Sequence, residues 1–118
     1  MTRMTKTRPD DRLLRLIEAA RLQRDMHLTH LAATASKVAA TRAKHAATEP
    51  APVESADPAI HVAALRHTLW AEQRRNTLLA ALHRQEAALV SQRAEAARAL
   101  ARHDMLTTLV RKRRDQLS

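Results

Sequence analysis

Apolar residues recur along most of this chain at a helical period, and one short stretch breaks the pattern. From Leu65, steps of 3.6 residues land on or near Leu69, Glu72, Asn76, Leu79, Leu82, Ala87, Val90, Ala94, Ala97, Ala101, Met105 and Leu109. That is one stripe with two polar interruptions, and Gln92 falls on the opposite face. Upstream, Leu14, Ile17, Leu28, Leu31, Ala35 and Val38 fit a heptad pattern that Arg21 and Arg24 interrupt. The break between the two segments is Glu49-Pro50-Ala51-Pro52-Val53-Glu54-Ser55-Ala56-Asp57. Its prolines cannot sit inside a helix without losing hydrogen bonds and clashing with the preceding turn. Asp57-Pro58 then reads as a helix start, with Asp as the cap and Pro at the first helical position. Pro9 followed by Asp10 and Asp11 has the same character, since carboxylates favour the positive end of the helix dipole.

These signals predict a first helix over about 9–47, a turn over 49–57 and a second helix over about 58–116. At 1.5 Å per residue the helices run to about 58 Å and about 88 Å. Uninterrupted helices of that length usually pack as coiled coils. The expected fold is all-α, a single antiparallel coiled-coil hairpin over 1–118 with a longer second helix. If the chain turns around Val53, residues lie level when their numbers sum to about 106. Everything after about Ala97 then has no partner from helix one. That overhang still carries Leu100, Met105, Leu106, Leu109 and Val110, and an unpaired apolar stripe marks a partner surface.

Composition narrows the chemistry. The 118 residues include 25 Ala and 16 Leu, one Trp, and no Gly, Cys, Tyr or Phe. Without glycine there are no inexpensive positive-φ turns for hairpins, P-loops or dinucleotide-binding loops. Without cysteine there are no disulfides, thiolate metal sites or thiol nucleophiles. No apolar run approaches the ~18–20 residues of a membrane span. The basic N-terminus is not followed by an apolar stretch, so no secretory signal is expected. Lys and Arg number 21 against 12 acids, a net +9, which calls for an acidic partner.

No residue stands out for catalysis or for holding a cofactor or metal. His27 and His30 share a helical face, but no third ligand is implied. His83 with Glu86 has acid–base spacing, yet two helices offer no water-excluding pocket, so the chain reads as a non-enzyme. The run Arg111-Lys112-Arg113-Arg114 suits phosphate contacts or a helix end. No base-reading element accompanies it, and the aromatics that stack on single strands are missing.

In architecture the chain resembles the small coiled-coil stalk proteins of flagellar and related type III export systems, the FliJ/YscO group. The likeness rests on the small size, the basic excess, the absence of Cys, the shorter first helix and the cationic C-terminal end. Locally it rests on the stretch from Ala97 to Gln116, where spaced Ala and Leu alternate with basic residues, and on Leu69-Trp70 towards the tip. The resemblance implies a cytoplasmic stalk, peripheral to a membrane-embedded export apparatus and not inserted in the membrane. Its partners would be a hexameric export ATPase and an export gate protein. The expected ATPase end is Arg98, Leu100, Arg102, Met105, Leu106, Leu109, Arg111, Lys112, Arg113 and Arg114; the expected gate end is Arg66, Leu69 and Trp70. The alternatives are a basic coiled-coil protein associated with nucleic acid, and a structural coiled coil that self-associates weakly through the overhang.

Overall fold

The computed structural model describes residues 9–49 and 54–117. Two helices account for nearly all of them: α1, Pro9–Ala47, and α2, Pro58–Leu117. Pro50 and Pro52, central to the expected turn, lie outside the described residues.

The helix ends follow from their residues. Asp10 and Asp11 occupy the first turn of α1, and Lys44 and His45 its last. With no glycine to supply a left-handed cap, α1 closes on Thr48 instead. The Thr48 amide (3.2 Å) and hydroxyl (2.7 Å) both donate to the His45 carbonyl. Asp57 caps α2: its Oδ1 accepts from the Ala59 amide at 2.9 Å, and its carbonyl accepts from the His61 amide at 3.1 Å.

The chain forms two compact units, one of 1–32 with 91–118 and one of 33–90. In each unit a stretch of α1 packs antiparallel against a stretch of α2, so the expected helical hairpin is found. In the first unit Asp10 meets Arg113, Gln23 meets Arg102, Arg24 meets His103 and His27 meets Glu95. In the second, Thr41 meets Gln85, Arg42 meets Glu86 and Glu49 meets Arg75.

These contacts correct the expected register. Residue numbers of partners sum to 122–127 in the first unit and 124–128 in the second, rather than about 106. The residues after Ala97 therefore have partners on α1 and are not an overhang. The cause lies in the connection. α1 ends near the level of Leu78, and α2 begins twenty residues earlier, at Pro58. The first turns of α2 therefore run past the end of α1, and Val53, the expected point of reversal, lies outside the described residues.

The buried stripes follow strict alternating steps of four and three, the 3.5-residue period of a coiled-coil seam. On α1 the covered positions are Leu13, Ile17, Ala20, Arg24, His27, Leu31, Thr34, Val38, Thr41 and His45. On α2 they run through Ala64, Thr68, Ala71, Arg75, Leu78, Leu82, Gln85, Leu89, Gln92, Ala96, Ala99, His103, Leu106 and Val110. The expected α2 stripe is thus displaced by about one residue. Leu65, Leu69, Leu79, Val90, Met105 and Leu109 are all exposed, whereas Gln92 sits on the seam. On α1, Ile17, Leu31 and Val38 were correctly placed, while Leu14, Leu28 and Ala35 face out and Arg24, read as an interruption, lies on the seam.

The seam is narrow and partly polar. Its most buried apolar residues are Ala20, Val38, Ala71, Leu78, Leu82, Leu89, Ala96 and Ala99. Alanines let the helices approach closely but bury little area, so each unit gains modest hydrophobic stabilisation. Polar pairs fill the gaps. The Thr41 hydroxyl donates to Gln85 Oε1 at 2.7 Å. With its proton on Nε2, His103 offers Nδ1 to the Arg24 guanidinium at 3.4 Å.

Candidate functional site

In the first unit the start of α1 and the end of α2 lie side by side, and the expected ATPase-end residues are distributed around this two-helix end, on both flanks of the seam. Leu106 is half-buried on the seam, while Leu100, Met105 and Leu109 are exposed beside it. Arg102 donates to Gln23 Oε1 at 3.0 Å, and Arg113 pairs with Asp10 at 3.3 Å. Arg98 lines a shallow recess with His27, Glu95, Ala99 and Arg102. Arg111, Lys112 and Arg114 are exposed at the end of α2. Leu13, Leu14, Val110 and Leu117 form an apolar recess there, rimmed by Asp10, Arg113 and Arg114. The end is thus a small apolar surface with a cationic border. Its ion pairs are solvent-exposed and worth little to folding, so the charge remains available to attract an acidic partner.

In the second unit the expected gate-end residues Arg66, Leu69 and Trp70 lie on the stretch of α2 that runs past α1, and all three are exposed. The Trp70 ring stacks on His67, with centroids 5.7 Å apart and planes 27° apart. Two residues belong with them that sequence reasoning did not place there. Val62 was not singled out, and Leu65 was put on the seam; both are exposed. A strict heptad count that admitted Ala64, Thr68 and Ala71 to the seam would have found them. The bias toward large apolar residues hid a seam built of small and polar ones.

Among the described residues no group of three His, Cys, Asp or Glu is placed to hold a metal ion. No described helix is long and apolar enough to cross a membrane. Comparison of the chain with protein-family models, with curated proteins and with solved structures finds no match.

Proposed function

We propose that the chain is a non-enzymatic coiled-coil adaptor, the stalk of a flagellar or type III protein export ATPase that links the ATPase ring to the export gate. The observation that carries the reading is the pairing of the start of α1 with the end of α2, held by Asp10–Arg113 and Gln23–Arg102. A stalk that enters a ring by its termini needs them side by side, and this end is cationic at Arg111, Lys112 and Arg114, which suits an acidic ring interior. Leu100, Met105 and Leu109, exposed beside the seam, supply the apolar contact that a surrounding sleeve would cover.

The test is binding of the purified chain to the export ATPase of the same organism and to duplex DNA, each at two salt concentrations. Replacing Arg111, Lys112, Arg113 and Arg114 by Gln is expected to slow association with the ATPase about tenfold while changing dissociation little, because peripheral charges act mainly on encounter. Binding to DNA alone, with a steep salt slope that the same replacement flattens, would overturn the stalk reading in favour of a nucleic-acid-associated protein.

A further inference from the structure

The outer face at the start of α2 is apolar where a solvated helix is ordinarily polar. At 100° per residue, Ala64, Thr68, Ala71 and Arg75 lie together on the seam side, and Val62, Ala63, Leu65, Leu69 and Trp70 spread over an arc of about 160° opposite them. Val62, Leu65, Leu69 and Trp70 are 53%, 60%, 54% and 57% exposed. No residue of α1 reaches their level, since Arg42–Glu86 and Glu49–Arg75 put the end of α1 near Leu78.

The charge on this stretch is mostly of one sign. From Pro58 to Ala71 there is no Asp or Glu, while Arg66 stands in the middle of the apolar arc and His61 and His67 flank the arc; Glu72, Arg74 and Arg75 follow, so the stretch through Arg75 keeps a cationic excess. Arg75 is partly engaged by Glu49, at 3.7 Å.

We propose that this face of α2, Val62, Leu65, Leu69 and Trp70 around Arg66, adsorbs to the interface of an anionic lipid bilayer, lying in its plane without crossing it. Three features favour a bilayer over a protein groove or a second copy. Val62, Leu65 and Leu69 fall at i, i+3 and i+7, as the anchors of a groove-docking helix do, but Trp70 and Ala63 widen the apolar arc to about 160°, broad enough to lie on a plane. Trp70 sits at the edge of the arc, and an indole ring is favoured at headgroup depth. Arg66 has the stem and the charge to lie along the apolar face and reach a phosphate. So few half-exposed side chains also fall short of the ~800 Å² that each partner of a stable dimer buries. The inference gives Arg66, Leu69 and Trp70 a lipid contact in place of the expected gate contact, and it does not depend on the ATPase end.

The test uses the full-length chain and vesicles of phosphatidylcholine, either alone or with about one third phosphatidylglycerol. Trp70 is the single tryptophan, so its emission reports this face alone. The expected result is sedimentation with the anionic vesicles, a blue shift of Trp70 emission, and quenching by lipids brominated near the headgroup. Leu65→Asn with Leu69→Asn should lower partitioning at least about tenfold and abolish the shift, with helix content unchanged because both side chains are exposed. Replacing Arg111, Lys112, Arg113 and Arg114 by Gln should lower it less than about threefold. Absence of vesicle binding overturns the proposal. So does binding without shift or quenching that survives the Leu65/Leu69 changes and disappears with the C-terminal arginines, which would be adsorption by net charge. The quenching arm needs no variant, so a double variant that lost helix would not remove the test.

Discussion

Gln92 sits on the seam of α2, and its Oε1 is buried without a hydrogen-bond partner among the described residues. A buried acceptor left unsatisfied costs about 1–3 kcal/mol. Thr41 and Gln85 show the other outcome, with two polar seam residues meeting at 2.7 Å and satisfying each other. Gln92→Leu should therefore raise stability by about 1 kcal/mol and the melting temperature by about 4–8 °C. Thermal melts followed by circular dichroism would check this, and a lower melting temperature would mean that the amide is engaged. The polar seam residues have a second consequence. Arg24, His27, Gln85 and His103 occupy positions where a coiled coil ordinarily places aliphatic side chains, so they penalise any slip that would bury them without their partners.

At the scale of the elements, Leu78 and Leu79 test the seam most sharply. They are sequence neighbours of the same type, but Leu78 is 7% exposed and Leu79 is 37% exposed. Leu78→Asp buries a charge without a partner and should cost about 3 kcal/mol or more, whereas Leu79→Asp should stay within about 1 kcal/mol. Urea midpoints of the two variants give the comparison; equal losses, or a larger loss at Leu79, would put the seam back on the large apolar stripe. The helices themselves were legible in the sequence, because Pro9, Asp57 and Pro58 act locally through capping and the loss of an amide donor. Which face of each helix is buried was not. The choice depends on pairing two helices at a 3.5-residue period. Ala96 and Ala99 win seam positions over Leu100 because that series keeps step with α1 while allowing close approach. Arg66, Leu69 and Trp70 stood out in the sequence as residue types, and they are exposed on the stretch of α2 before Arg75. The overhang after Ala97 was misplaced because it rested on the position of the reversal, and nothing in the turn's composition sets that position.

For the whole molecule, function turns on which stretch of α2 has no α1 residue opposite. The contacts put that stretch at its start, before Arg75, and leave 98–113 paired. A chain ending at Ala97 should accordingly lose more helix than the residues removed, because the first half of α1 loses its partner surface; far-ultraviolet circular dichroism would show this. The most direct measurement is the spacing of spin labels in the full-length protein. The chain has no Cys, so paired cysteines can be introduced without background. Asp10 and Arg113 are in contact at 3.3 Å, while Ala96 is seventeen residues from Arg113 along α2, about 26 Å. Labels at Asp10 and Arg113 should give a narrow distribution near about 20 Å, and labels at Asp10 and Ala96 one longer by about 10 Å or more. A short Asp10–Ala96 distance with a long Asp10–Arg113 distance would restore the C-terminal overhang. It would contradict the paired termini on which the proposed ATPase end depends and the unfaced start of α2 on which the bilayer-binding face depends.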